Sequence, residues 1–434
     1  MQNKPTILII FGISGDLARR YLIPAIENIK KAKMLPDKFK VVGITRQKSS
    51  DYFQMNLDDI KDWEKLNEYL KKIEESFGMP AQRLFYLSVP PEASQYIIEL
   101  LSKSGLSKVG ETKILLEKPF GINLENATDL VTYIDQYFLP TQVYRVDHYM
   151  AKELAQNIIV FRAGNSLFKK TWNKDFIESI EIIVSEKIDI EGRANFYEQT
   201  GALRDVVQSH LLQLAAFVLM ELPNNQEEVS LLREKAFKNL NIVCDIEKSK
   251  CVKRAQYEGY RDEIKNKNSI SMTETFVSIN LESNDPVWLG VPITLTTGKA
   301  LNERYTVIKV CYKKDNKDYE NQSNELLIRI QPDPGIEFSI WTKVPGYEHK
   351  VSQQSMHFFS NEYYKELPDA YEQVLFNAIN SDHSLFTSSG EVLETWRILD
   401  MIQKTWKKST KDLITYPKGS TIEEITKKFN DLDV

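Results

Sequence analysis

The stretch that decides the fold is Thr6-Ile7-Leu8-Ile9-Ile10-Phe11-Gly12-Ile13-Ser14-Gly15-Asp16-Leu17-Ala18. Thr6 to Phe11 is a continuous apolar run, as in a parallel strand buried on both faces. Gly12 to Asp16 is the turn. Leu17 to about Met34 has helical periodicity and ends in Lys30, Lys31 and Lys33, which suits the negative end of a helix dipole. Val41 to Ile44 is the second strand, so the first 46 residues read as one βαβ unit. Within the turn, Gly12-x-x-Gly15-x-x-Ala18 is a variant of the commoner GxGxxG. Glycine allows a tight turn and a close approach of backbone to a pyrophosphate, and the helix start adds free N–H groups and positive dipole.

The pattern continues outward. Asp51 to Phe77 reads as helix, Leu84 to Val89 as strand, Ala93 to Leu101 as helix, and Lys113 to Leu116 as a strand stopped by Glu117-Lys118-Pro119-Phe120-Gly121. Asn126 to Phe138 is again helical and Thr141 to Val146 again strand. Such alternation predicts a Rossmann-like, doubly wound α/β domain. After Asp147 the texture changes. A helix is expected over His148 to Phe161, with Asp147 as its N-cap and His148 and Lys152 four apart on one face. Strands follow at Ile177 to Ser185, Thr275 to Glu282, Ile293 to Thr297, Val307 to Tyr312 and Glu325 to Gln331, and a helix at Glu391 to Trp406. Strands in succession predict an α+β domain with a large, mainly antiparallel sheet. The boundary is expected near residue 146, giving domains 1–146 and 147–434.

A length of 434 residues suits two or three domains. The 56 basic and 61 acidic side chains leave a net charge of −5, which argues against non-specific binding to nucleic acid or an anionic membrane. Cys244, Cys251 and Cys311 form no CxxC pair and are expected to be plain thiols in a reducing cytosol. The N-terminal apolar run is too short for a signal peptide, and Leu211 to Leu222 is too short to span a bilayer. A soluble, cytoplasmic protein is expected, and no metal site is read.

After the second strand stand Thr45-Arg46-Gln47, without the acid that usually binds a ribose 2′-hydroxyl. Arginine there suits a 2′-phosphate. NADP is therefore favoured, with NAD open as an alternative. A second segment, Arg145-Val146-Asp147-His148-Tyr149-Met150-Ala151-Lys152-Glu153, gathers an imidazole, a phenol and an ammonium where a phosphate could bind. A third runs through Glu191-Gly192-Arg193, Tyr197, Gly201, Arg204-Asp205 and Gln208-Ser209-His210.

Together these pieces resemble the glucose-6-phosphate dehydrogenase family over nearly the whole chain. Gly12 to Ala18 is similar to its GxSGDLA, Glu117 to Gly121 to its EKPFG, Arg145 to Glu153 to its R-[IV]-D-H-Y-L-G-K-E, and Glu191 to Gln213 to its EGR…GxxRDxxQNHxxQ. Gly298 to Arg304, Asn324 to Pro332 and Asp369 to Glu372 continue the match in order. The resemblance implies oxidation of glucose 6-phosphate to 6-phosphoglucono-1,5-lactone with hydride transfer to NADP, the first oxidative step of the pentose phosphate pathway. It implies His210 as general base and Asp147 as the group that orients it. It implies cofactor contacts from Gly12, Ser14, Gly15, Asp16, Leu17, Arg46 and Lys118. Sugar-phosphate contacts are implied for Lys118, His148, Tyr149, Lys152, Glu186, Asp205, Lys299, Arg304 and Gln331, with Lys118 between substrate and cofactor and its bond to Pro119 cis. The resemblance also implies a homodimer or dimer of dimers, formed through the second domain. Tyr21 departs from the family's usual basic residue, Ala151 from a glycine and Ser209 from an asparagine.

Two other readings stay open: a dehydrogenase of the same architecture acting on another aldose or sugar phosphate, and a non-catalytic sugar-phosphate binder. The missing acid after the second strand yields a test. Arg46→Ala should weaken NADP about 10- to 100-fold, the scale of one charge-assisted contact, and leave NAD nearly unchanged. Titrating both cofactors against wild type and variant checks this. An equal loss for both would assign Arg46 to a shared part of the cofactor or to the fold.

Overall fold

The computed structural model describes residues 4–108, 111–242, 251–264, 271–314, 323–364, 367–408 and 412–432. Its strands, in chain order, are β1 Thr6–Phe11, β2 Phe39–Thr45, β3 Phe53–Gln54, β4 Gln82–Leu87, β5 Thr112–Leu116, β6 Val143–Val146, β7 Ile177–Ser185, β8 Leu240–Asn241 and β9 Val252–Tyr257. They continue as β10 Phe276–Ser283, β11 Ile293–Gly298, β12 Tyr305–Tyr312, β13 Glu325–Gln331, β14 Gly335–Lys343, β15 Val351–Phe359, β16 Phe386–Thr387 and β17 Leu413–Tyr416. The chain divides into two compact units. One comprises Met1–Lys152, Pro223–Leu231 and Pro368–Leu393, the other Glu153–Leu222, Leu232–Leu367 and Glu394–Val434.

The first unit holds a sheet in the order β16-β6-β5-β4-β1-β2-β3. Its pairings are parallel except that of β16 with β6. β1 is buried along its whole length because both faces are covered. On one face Leu8, Ile10, Leu84, Tyr86 and Leu115 pack with Leu22, Ala25 and Ile29, and with Val374, Leu375 and Ala378 of helix Ala370–Ile379. On the other, Phe11 stacks on Trp63 with ring centroids 5.7 Å apart. Trp63, Leu66, Leu70 and Ile73 form the buried stripe of helix Ile60–Phe77. This is the doubly wound, Rossmann-like arrangement that the alternating pattern predicts.

Two helices differ from expectation for local reasons. The segment from Asp51 is not helical throughout: Phe53–Gln54 forms β3, and Asp59 accepts from the Lys61 N–H at 3.0 Å, so the helix starts only at Ile60. The helix after Gly15 is wound in π form over Ala18–Leu22, with the Ile23 N–H reaching Ala18 O, before α-helix Ile23–Lys31. Pro24, near the start of that α-helix, lacks the N–H that would continue a tighter ladder through this point.

The second unit holds a sheet in the order β15-β14-β13-β12-β7-β11-β10-β9-β17, with β8 paired to β10. Only β7 with β11 and β9 with β17 run parallel, so the sheet is mainly antiparallel, as expected. β8, β9, β14, β15 and β17 are not among the strands named from the sequence; β15 is polar and largely exposed at the sheet edge, where alternation is weak. The apolar run at Leu211 is a short, fully buried helix, Leu212–Leu219. Trp172 and Trp288 donate to the carbonyls of Val218 and Leu219, and Arg162 donates to those of Phe217 and Met220, so its last turn is satisfied inside protein. Among the described residues no helix is long and apolar enough to cross a membrane. Cys311 is free, but Cys251 is disulfide-bonded, which corrects the expectation of plain thiols throughout. The missing CxxC spacing excludes a redox motif, not a bridge; Cys244 lies outside the described residues.

Near the start of β5, Lys113 is buried and donates to Gln82 Oε1 (2.8 Å), Ala378 O (2.7 Å) and Ser381 Oγ (2.7 Å). Burial pushes its ammonium down to about 7, with Lys4 adding repulsion. An unfolded lysine titrates at about 10.4. Between those values the unfolded chain binds a proton that the folded chain releases, so this group makes stability rise with pH across that window. Lys113→Met should cost about 1–3 kcal/mol by leaving three acceptors without their donor. It should also remove that pH-dependent gain, so the gap between wild type and variant widens from pH 7 to 9.5. Denaturant unfolding at both pH values checks the prediction.

Candidate active site

In the first unit the candidate residues leave the sheet at one edge, the C-terminal ends of the parallel strands. Ligands of open α/β sheets bind there. The loop after β1 turns at Gly12, whose φ is +79°. A Cβ there would stand 2.2 Å from the Ser88 carbonyl oxygen, so only glycine fits. The Gly15 N–H closes the turn on Gly12 O at 2.8 Å. Ser14 and Asp16 are exposed, Leu17 is half-buried, and Asp16 pairs with Arg20 at 2.7 Å. Arg46 follows β2 with an exposed side chain, next to Gln47, whose N–H bonds Thr45 Oγ1. Lys118 follows β5, half-buried, and its bond to Pro119 is cis, as expected.

After β6, the predicted helix start at Asp147 is not observed; the helix begins at Glu153. Asp147 is buried and caps a tight turn instead. Its Oδ1 accepts from the Tyr149 N–H (2.9 Å) and its carbonyl from the Met150 N–H (3.1 Å), while the Lys152 N–H reaches Tyr149 O (3.2 Å). An aspartate serves either structure, because in both its carboxylate accepts an N–H two residues on. His148 and Lys152 therefore do not share a helix face, yet the turns still bring the three groups together. The His148 and Tyr149 rings are 5.1 Å apart, and the Lys152 ammonium lies 3.9 Å from the Tyr149 ring centroid. Tyr371 stacks on His148 at 6.5 Å and meets the Tyr21 ring, tilted, at 5.2 Å. Tyr371 lies in the Asp369–Glu372 match, and its sequence context alone gives it no role.

In the second unit the candidates also collect at one edge of a sheet. Ser185 at the end of β7 pairs with Gly298 at the end of β11, so Glu186 and Lys299 emerge side by side. The buried Lys299 ammonium bonds Glu186 Oε2 at 2.5 Å and lies 3.6 Å from Asp205 Oδ2. It also sits 5.2 Å from the centre of the Tyr197 ring. Tyr305 pairs with Ser185, which places Arg304, exposed, at the same edge. Gln331, ending β13, donates to Thr306 Oγ1 at 3.1 Å.

His210 and Ser209 are buried, and Asp205 half-buried, on a π-wound segment, Leu203–Leu211. Wide turns of this kind often mark functional sites. The segment is anchored at its start by buried Glu274, which accepts from the Leu203 N–H at 2.9 Å, and by Gly201 (φ +65°), where a Cβ would lie 2.4 Å from Glu274 Oε1. Burial raises the Glu274 carboxyl above its ordinary range. Neither Glu274 nor Tyr86 carries a signal in the sequence: both lie in strand-like surroundings and read as ordinary strand residues.

A dinucleotide-binding unit with a glycine cradle, joined in one chain to an α+β unit in which a buried lysine meets two carboxylates, defines a two-domain nucleotide-dependent protein of the Rossmann class. The chain belongs to the glucose-6-phosphate dehydrogenase family. Its residues 9–52 and 48–157 match the family's NAD binding domain, and residues 159–431 match the glucose-6-phosphate dehydrogenase C-terminal domain. It is 34% identical to glucose-6-phosphate 1-dehydrogenase of Chlamydia muridarum, over 96% of this chain and 93% of that one. With the Chlamydia trachomatis enzyme of the same name the identity is 37%, over 85% and 89%. A solved structure of glucose-6-phosphate dehydrogenase in complex with glucose 6-phosphate superposes with a TM-score of 0.91 at 26% identity, covering 99% of this chain and 98% of the other.

The Gly12 geometry sets a requirement that is independent of any ligand contact. Gly12→Ala should destabilise the first unit by about 2–4 kcal/mol, combining the left-handed penalty with overpacking against Ser88. It should also abolish dinucleotide binding. Thermal unfolding and cofactor titration check both outcomes; a normally stable, cofactor-binding variant would show that the loop can be rebuilt without glycine.

Proposed function

We propose that this protein oxidises glucose 6-phosphate to 6-phosphoglucono-1,5-lactone and passes the hydride to NADP. The observation that carries the reading is the presence, in one chain of this family, of the Asp147–Lys152 turn and of the buried Lys299 ammonium held between Glu186 and Asp205. His210 is assigned the general base, taking the proton of the C1 hydroxyl, and Asp147 the task of holding one imidazole tautomer and stabilising the imidazolium. His148, Tyr149 and Lys152 bind the 6-phosphate, with Arg304 as an added cation. Glu186, Asp205 and Lys299 bind sugar hydroxyls, and Gln331 lies on the same rim. Lys118 bridges substrate and cofactor.

The glycine cradle at Gly12 and Gly15 fits a dinucleotide, because a side chain at Gly12 would fill the space the backbone turn needs. Ser14, Asp16 and Leu17 line that loop, and the exposed Arg46 suits a 2′-phosphate. When bound, NADP supplies the hydride acceptor. A homodimer is the assembly we favour, since β15 leaves a polar, unpaired edge exposed on the large sheet. A cytoplasmic location accords with the absence, among described residues, of a membrane-crossing helix.

A dehydrogenase of another aldose is the second reading, and Tyr21 favours it: a half-exposed phenol stands where the family usually has a cation. One comparison separates the two. Glucose cannot satisfy the charged groups of the phosphate site, and binding energy from that remote end is lost at the reacting carbon. Glucose 6-phosphate should therefore exceed glucose in kcat/KM by at least about 10³-fold. Lys152→Ala should shrink that ratio mainly through KM, whereas His210→Asn should lower kcat by about 10²–10⁴-fold. Equal oxidation of both sugars would give the lead to the other-aldose reading.

A further inference from the structure

Glu117 is the one acid in the Glu117–Gly121 segment, and the mechanism above gives it no task. It directly precedes Lys118 and is half-buried. Its Oε1 accepts the hydroxyl of Tyr86, a fully buried residue of β4. Tyr86 is paired in the sheet with Leu115, two residues before Glu117, so the donor sits on rigid backbone next to the strand that ends at the acid. A carboxyl held this way cannot rotate into solvent without breaking the phenol bond.

We propose that Glu117, clamped by Tyr86, is a positioning residue for Lys118, and that its ionised carboxylate is what holds the neighbouring ammonium in its working orientation. The proposal rests on the reading of Lys118 as a ligand of substrate and cofactor. The groups that face the carboxyl come from four places. Tyr86 on β4 and Lys118 favour the anion, and Asp147 beyond β6 opposes it. Tyr371, from helix Ala370–Ile379, interacts with Glu117 as a further phenol. Burial outweighs the favourable partners and pushes the Glu117 carboxyl up to about 7. Tyr86 is itself pushed well above the ordinary phenol range by burial, so it stays a neutral donor throughout. Below neutrality the carboxyl therefore takes up a proton, and Lys118 loses its counter-charge.

Oxidation of glucose 6-phosphate should then require two deprotonated groups, His210 and Glu117, rather than one. Plotted against pH and expressed per dianionic substrate, since the phosphate ester itself takes up a proton at about pH 6, log kcat/KM of the wild type should approach a limiting slope of two on its acid side. Glu117→Gln should reduce that slope to one. It should also lower the plateau kcat/KM by about 10- to 100-fold, the scale on which groups that orient a ligand act, mainly through KM. Tyr86→Phe should keep two ionisations but move one to higher pH, because the carboxylate loses a donor. A merely structural role would lower stability or amplitude and leave the limb's slope and position unchanged. That result in both variants overturns the proposal. If Glu117→Gln does not fold, Tyr86→Phe decides alone. A wild-type protein that fails to oxidise glucose 6-phosphate would instead sink the proposed function. Glu117 is then still read directly, as a carboxyl band titrating near neutral in infrared difference spectra of wild type against Tyr86→Phe. Absence of that band overturns the proposal independently of turnover.

Discussion

The first unit depends on the approach of Gly12 to the backbone of Ser88. β1 and β4 are neighbours in the parallel sheet, and both chains must leave it at the same edge. The β1 loop turns back across the end of β4, which places its Cα against a carbonyl with no room for a side chain. The consequence is geometric: the helix that follows starts from the sheet edge at which β2, β5 and β6 also end. Arg46, Lys118 and Asp147 follow those three strands. Their convergence on one edge is a property of parallel topology, since every strand in such a sheet delivers its C-terminal residue to the same side.

The second unit reaches a similar result by another route. Its sheet is mainly antiparallel, so strand ends and strand starts share each edge. β7 and β11 end where β12 begins, and β13 ends beside β12. Four candidate residues from three separate stretches of sequence, Glu186, Lys299 with Arg304, and Gln331, thereby reach one rim. The parallel pairing of β7 with β11 matters most, because it sets Glu186 and Lys299 side by side as the chains leave the sheet. A buried ammonium alone would be costly; with a carboxylate at 2.5 Å and a second near it, the cation is held in place.

What was legible in the sequence follows from the same physics. β1, β5, β7 and β13 could be read almost to the residue, because strands buried on both faces or alternating cleanly leave a strong pattern. The helix from Leu17 is present, though wound in π form ahead of Pro24, whereas the segment from Asp51 turns helical only at Ile60, because the Asp59 cap acts over one turn while periodicity is read over several. Asp147 was the instructive error. An aspartate before a polar residue fits a helix cap and a tight turn equally, so its spacing to His148 and Lys152 could be explained by the wrong element. The grouping of His148, Tyr149 and Lys152 survived because overlapping turns compact five residues about as well as a helix does. Pairs such as Lys299 with Glu186 and Tyr86 with Glu117 lie across a sheet, and no local pattern encodes them. The family resemblance could name Lys299 and Glu186 but not their bond, and it gave Tyr86 no place at all.

Three polar groups, drawn from both units, share one physical state: each is wholly or partly removed from water and tied to a fixed partner before any ligand arrives. Asp147 is tied to backbone N–H groups of its own turn, Lys299 to Glu186, and Glu117 to Tyr86. In water the same groups would reorient around each new charge, and that reorientation would add to the barrier. Fixed in a low-dielectric setting, they need not move when charge develops, which is where most of the benefit of a preorganised site arises. The cost appears at Glu117 as a raised carboxyl, and at Asp147 and Lys299 as desolvation offset by fixed partners. Buried charge of this kind is a combination that a fold alone has no reason to retain.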